Sequence, residues 1–193
     1  MITVTYYVGI KDKGKIMVSR VAFRNDVNQY WTDLIDYVEA YTSLTGTGQD
    51  PSVAQANILR ILPKFGEPVR LVYNPIAAYD VTTCLQGLVS GLFEAVALIE
   101  NDIPTTALTT RVAGNVIEKL TYALEVLNPD WAKPVTTQIF TNIWTGWLDH
   151  AQAKKANDST KMMEAYKLAS DNAMAFAQAF ITGVEKQYNP IFF

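Results

Sequence analysis

The side chains able to do chemistry are few and scattered. His150 is the only histidine and Cys84 the only cysteine. A metal site on a helix commonly needs a second ligand three or four residues away. Around His150 those positions hold Gly146, Trp147, Ala153 and Lys154, so no local pair exists. The Glu-x-x-His pattern of di-iron bundles is missing too. His150 follows Asp149 and reads as a solvated side chain on the polar side of its helix.

Cys84 falls near the start of an apolar helical stretch, where a helix N-terminus can lower a thiol pKa. Its companions Leu85 and Leu88, and its distance from His150 in sequence, make it a buried and inert thiol instead. Glu94 is the acid in the middle of the same stretch. If buried, it needs Arg111 or Lys119 from the next helix; unpaired, its pKa would rise and it could act as a general acid. Structural pairing or plain exposure is the simpler expectation. No glycine-rich phosphate loop occurs, and no nucleophile stands in a recognisable setting. The sequence predicts no catalytic residue, no metal site and no cofactor.

The elements that would position these residues follow from periodicity. Ile2, Val4, Tyr6, Val8 and Ile10 alternate with more polar residues, the pattern of a half-buried strand. Asp12-Lys13-Gly14 supplies a turn, and Ile16 to Phe23 returns as a second strand. Residues 1–24 are thus expected to be a β-hairpin appended to a helical domain over 25–193. Asn25 or Asp26 would cap the first helix, whose face is Trp31, Leu34, Ile35 and Val38. Residues 42–50 read as an exposed loop, and Asp50-Pro51 starts a short helix ending before Pro63. Alternating Val69, Leu71 and Tyr73 suggest a short strand or extended crossover.

Asp80 would cap the apolar helix, which runs to about Asn101. The next helix carries Leu108, Val112, Val116, Leu120, Leu124 and Leu127 along one stripe and stops at Asn128-Pro129. A further helix bears Ile139, Ile143, Trp144, Trp147 and Leu148. Asp158 caps the last, with Met162, Tyr166, Ala169, Ala173, Phe176, Phe180 and Val184 on one face. The predicted fold is mainly α: a hairpin, then about six helices, the last four an antiparallel bundle with the apolar helix at its centre. Gly87, Gly91 and Ala95 recur every fourth residue and form a small-residue groove. Either a neighbouring helix approaches closely there, or the glycines make room for Trp144 or Trp147.

Val81–Ile99 is long enough to span a membrane. Gln86, Ser90 and Glu94 interrupt it and no basic flank anchors it, so a buried helix is expected. No basic segment followed by an apolar core opens the chain, so a cleavable signal is not expected. The hydrophobic fraction is 49%, the charged fraction only 18%, and the net charge −3. This balance implies no general nucleic-acid surface. It leaves more apolar surface than a typical monomer hides. Lys11, Lys13, Lys15, Arg20 and Arg24 precede an acidic run of Asp26, Asp33, Asp36, Glu39 and Asp50, a complementarity that could act within one chain or between copies.

Ile191-Phe192-Phe193 ends the sequence with an apolar plug, and free ends are usually polar. With the strand edge at Ile2, Val4 and Tyr6, it is the candidate interface. The functional expectation is a non-enzymatic structural protein that assembles with copies of itself, most concretely a virion, filament or shell subunit. The alternative is a helical bundle that binds a small molecule in an aromatic-lined pocket near Trp144 and Trp147, or a carboxylate-based enzyme.

Overall fold

The computed structural model describes the backbone of residues 9–10, 16–17 and 19–188, and side chains from Ser19 to Tyr188. The molecule is mainly helical. The expected N-terminal hairpin is not supported. Strand pairing among the described residues is confined to β1 (Gly9–Ile10) against β2 (Ile16–Met17), antiparallel, with Gly9 opposite Met17. Ile2, Val4 and Tyr6 lie outside the described residues. The far end of the second predicted strand is helical, because α1 spans Arg20–Thr42. Ser19 caps it, its hydroxyl accepting from the Ala22 amide at 3.4 Å. The boundary expected between residues 24 and 25 therefore falls inside a helix. Alternation over 16–23 misled because Phe23, Val27, Tyr30 and Trp31 already follow the helical period, and all are buried.

A tight turn with positive φ at Gly46 and Gly48 leads to α2 (Ser52–Ile61) and a 3₁₀ turn, Leu62–Phe65. The loop expected to be exposed is anchored by two buried threonines, Thr42 and Thr45. The predicted strand after it is α3 (Gly66–Val72). Phe65, Val69 and Val72 are buried at helical spacing, a pattern too short to separate from alternation by sequence. The apolar helix α4 covers Pro75–Glu100. Its cap is Asn74, not Asp80: Asn74 Oδ1 accepts from the Ala77 amide at 2.9 Å, and Pro75 takes the first helical position.

Next come α5 (Thr106–Val112), a π-turn over Ala113–Ile117, and α6 (Glu118–Leu127). The π-turn inserts one residue into the stripe. Ile117 takes the core position expected of Val116, and Leu120 and Leu124 continue from it. Finally α7 (Lys133–Lys155) and α8 (Ser159–Tyr188) pack side by side. Asp158 caps α8 as expected, its Oδ1 accepting from the Lys161 amide at 3.1 Å.

The centre is shared: α4 touches α3, α5, α6 and α7, and α7 touches α1, α4, α6 and α8. Helix α7 holds its place because Gly146 lets α8 come close: a Cβ there would lie 2.7 Å from the Ala165 carbonyl oxygen and 2.9 Å from the Ala169 nitrogen. Ala151 and Ala153 of α7 and Ala165, Ala169, Ala173 and Ala177 of α8 are all buried. Large aromatics fill the rest. Trp31 meets Phe65 at 4.9 Å and Phe176 at 5.4 Å between ring centroids, and Trp131 stacks on Phe180 at 4.8 Å. At one end Lys155 Nζ caps α4, bonding the Ile99 carbonyl at 2.6 Å, where a cation offsets the negative end of the helix dipole.

Among the described residues, α4 alone is long and apolar enough by length and composition to cross a membrane. Here it packs on α3, α6 and α7, and its outward stripe carries Gln86, Ser90 and Glu94. Within the small-residue groove, Gly91 serves both expected purposes at once. A Cβ on it would sit 2.9 Å from a Val112 methyl and 3.3 Å from the Trp144 ring, whereas at Gly87 the nearest atoms, the Val116 methyls, are at 3.4 Å. Ala95 is fully buried. Gly91→Leu should lower stability by roughly 2–3 kcal/mol through overpacking, while Gly87→Ala stays near wild type. Urea midpoints of the two variants check this difference.

Candidate interaction face

The reactive side chains are absorbed by packing. His150 is buried, not solvated, with Nδ1 2.8 Å from Thr42 Oγ1. Thr42 Oγ1 also lies 2.9 Å from the Val38 carbonyl oxygen, so the pair is satisfied in either tautomer: the hydroxyl donates to Val38 and accepts from Nδ1–H, or donates to Nδ1. Ile35, Val38 and Tyr166 surround the ring with Glu39 and Trp147. Burial first, then the Lys154 charge, pushes the imidazole pKa down. No local sequence signal pairs His150 with Thr42, which comes from α1.

The folded protein resists a proton that the unfolded chain accepts near pH 6.5. Stability from His150 is therefore complete above about pH 6.5 and falls as pH drops toward the lowered folded value, with a slope of at most about 1.4 kcal/mol per pH unit. Urea midpoints between pH 7.5 and 5.5, a range chosen to stay above most carboxylate titration, should fall for wild type. They should be nearly flat for His150→Gln.

Cys84 is half-buried. Burial first, then Asp80, pushes its thiol up, while Lys119 opposes. The thiol is a weak nucleophile at neutral pH. Glu94 is paired with Arg111 as one option foresaw, but at the surface, with half of its side chain exposed. Such a pair contributes about 0–1 kcal/mol. Arg20 and Arg24 lie on α1 itself, and both reach Glu185 of α8; Arg24 grips it through two bonds of 2.6 Å.

Beside Trp147 there is room for only about 10 Å³. The Trp144 and Trp147 indoles are buried, their N–H groups without a partner among the described residues. A larger aromatic-lined cavity lies between Trp31, Phe65, Phe140, Phe176, Leu85 and Leu120, and its volume is only about 30 Å³. Ligand sites commonly need roughly 300 Å³ or more, and an apolar void of this size stays dry.

What the fold leaves outward is an apolar face on α4 and α6. Helix α4 runs antiparallel to the segment that leads into α6, with Gly91 facing Val112 of α5 and Gly87 facing Val116 of the π-turn. At the far end, Asn128 Nδ2 lies 3.4 Å from the Tyr73 hydroxyl. Ile76 and Tyr79 stand on the outward side of α4, and Tyr122 and Val126 on the outward side of α6. Their relative exposures are 74% for Ile76, 70% for Tyr79, 61% for Tyr122 and 66% for Val126. Asp80 of α4 and Lys119 of α6 are exposed as well, and both act on Cys84.

The chain matches no family model, no curated protein and no solved structure.

Sequence reasoning passed over this face because it sought the buried stripe. Tyr122 and Val126 lie off the Leu120–Leu124 stripe, and Ile76 and Tyr79 precede the expected cap. Large apolar residues at i, i+3 or i+4 on the wrong side of an amphipathic helix were the available signal. The interface residues that were expected, Ile191, Phe192 and Phe193, lie outside the described residues. The last described residue, Tyr188, packs on Tyr73 at 5.3 Å between ring centroids, and Gln187 Nε2 lies 3.4 Å from the Leu127 carbonyl oxygen. Both contacts stand at the edge of the α4–α6 face.

Proposed function

We propose that this chain is a non-catalytic structural protein that assembles with copies of itself, as a subunit of an ordered shell, filament or virion. The observation that carries this reading is the α4–α6 face. Two tyrosines and two aliphatic side chains on neighbouring helices face water, each more than half exposed. Isolated surface hydrophobics are ordinary, but contiguous patches mark interaction sites. Tyrosine suits such a place, since it covers apolar surface while its hydroxyl stays hydrated.

The remaining chemistry supports the same reading. The imidazole is spent on a buried hydrogen bond to α1, the thiol is raised above the reactive range, and the mid-helix acid is an exposed ion pair.

Negative-stain imaging of the purified protein near neutral pH tests the proposal. Rings, shells or filaments are expected, and Cys84→Ser should form them as wild type does. Fields of single small particles at every concentration, or assemblies lost in the folded Cys84→Ser variant, would count against it.

A further inference from the structure

We infer that the cleft where the end of α1 meets the last turns of α4 binds a small organic ammonium ion, its charge on the Glu100 carboxylate and its apolar body against Phe93 and Val96. This site goes beyond the self-assembly reading and does not depend on it.

The cleft has a volume of about 350 Å³, against about 30 Å³ for the cavity beside Trp31. That is room enough for a small molecule. Phe93, Val96, Ala97 and Glu100 line it at the helical period, as one stripe of α4. The rest of the lining comes from Tyr41 of α1, the loop over 44–51, and Gln55 of α2. The Tyr41 and Phe93 rings meet edge to face, 5.0 Å apart between centroids. Aromatic surface of this kind attracts cations as well as apolar groups.

The electrostatics select the sign of the ligand. Among the described residues that line the cleft, Glu100 carries the formal charge. Its Oε1 accepts from the Gly46 amide at 3.4 Å, which ties the loop to α4. No cation lies within 4 Å of this carboxylate among the described residues. The nearby Lys155 instead bonds the Glu100 carbonyl at 3.1 Å and pairs with Asp102. Burial first pushes the Tyr41 phenol up, its bond from Gln55 opposes, and the Glu100 charge raises it further. The carboxylate therefore acts on the same space as the Tyr41 hydroxyl. An anion would be repelled here, and a neutral molecule would leave the charge unpaired.

A second observation points to a polar occupant. Thr45 also lines the cleft and is 1% exposed, yet its hydroxyl has no hydrogen-bond partner among the described residues. A buried hydroxyl left unbonded is costly, and an ammonium, which carries several donors, offers what it lacks.

Phenethylamine, an ammonium on a short chain from a phenyl ring, is the probe. Titration calorimetry at low salt and near neutral pH should give a Kd of about 10 μM to 1 mM. Amide resonances of Gly48, Gln55 and Ala97 should move during the same titration. The neutral 2-phenylethanol and the anionic 3-phenylpropionate should bind at least about tenfold more weakly. Glu100→Gln keeps an acceptor for Gly46, and it should weaken phenethylamine by about tenfold while leaving 2-phenylethanol within about twofold. Thr45→Val removes the unbonded group, so the fold should hold while phenethylamine binds about threefold or more weakly. Circular dichroism confirms that each variant remains helical. No binding of phenethylamine up to about 10 mM overturns the site. Equal binding of the amine and the alcohol overturns the ammonium class. Undiminished binding to folded Glu100→Gln, or resonance shifts confined to other parts of the molecule, overturns the placement. Undiminished binding to Thr45→Val overturns the part given to its hydroxyl.

Discussion

Gly183→Ala should destabilise the protein by about 3 kcal/mol although it adds a single methyl group. A Cβ at this position would lie 2.3 Å from Trp131 Nε1 and 3.0 Å from Asn128 Nδ2. Neither neighbour can withdraw cheaply. Trp131 is 1% exposed, stacked on Phe180, and donates its indole N–H to the Ala179 carbonyl at 3.1 Å. Asn128 ends α6, with its Oδ1 accepting from the Asp130 amide and its Nδ2 close to the Tyr73 hydroxyl. The methyl must push α8 away from the 128–131 corner or break these bonds. Gly146→Ala should cost a similar amount, since its Cβ would meet the backbone of α8 at Ala165 and Ala169. For a chain of this length the loss corresponds to roughly 6–12 °C in Tm. Gly114→Ala is the control, because among the described residues nothing stands within 4 Å of a Cβ there. It should match wild type or exceed it slightly. Calorimetry on the three variants decides, and an unchanged Tm for Gly183→Ala would mean that α8 and the 128–131 corner are not packed as described.

Trp31→Ala should cost more, about 4 kcal/mol. Trp31 is 3% exposed and borders the apolar cavity of about 30 Å³. Its ring lies 4.9 Å from Phe65, 5.4 Å from Phe176 and 6.1 Å from Phe140. These neighbours belong to the 3₁₀ turn, α8 and α7, so collapse around a smaller side chain would require three elements to shift together. The void should instead persist and join the existing cavity. An apolar void large enough for an aromatic molecule takes up benzene or indole from water. Indole should therefore restore roughly 1–3 kcal/mol to Trp31→Ala at concentrations well above its dissociation constant, and nothing to wild type. Denaturation midpoints with and without indole check both parts. A loss below about 1 kcal/mol would contradict this packing.

These sites show what periodicity can and cannot reveal. The long stripes of α7 and α8 were legible because burial on one face repeats over many turns, and Asp158 was legible as a cap because a side-chain oxygen is needed at that position. The start of α1 was hidden because residues 16–23 satisfy two periods at once. The π-turn over Ala113–Ile117 was hidden because its single inserted residue leaves a stripe that still looks continuous. Gly146 and Gly183 gave no signal because a glycine's necessity depends on what faces it, and Ala165 and Trp131 face them only in three dimensions. The same holds for His150, whose partner Thr42 is distant in sequence and sits at the end of another helix. The α4–α6 face has a comparable origin: exposure of Tyr79 and Tyr122 depends on which sides of their helices the rest of the bundle covers.

The central claim is that this chain's apolar face exists to meet copies of itself. Sedimentation equilibrium of the wild-type chain near neutral pH, over a wide concentration range, tests it most directly. The account predicts an average mass that rises with concentration to at least twice that of one chain, and a Tyr79→Glu variant that remains at the mass of one chain under the same conditions. A wild-type protein that keeps the mass of a single chain up to the highest concentration would contradict it.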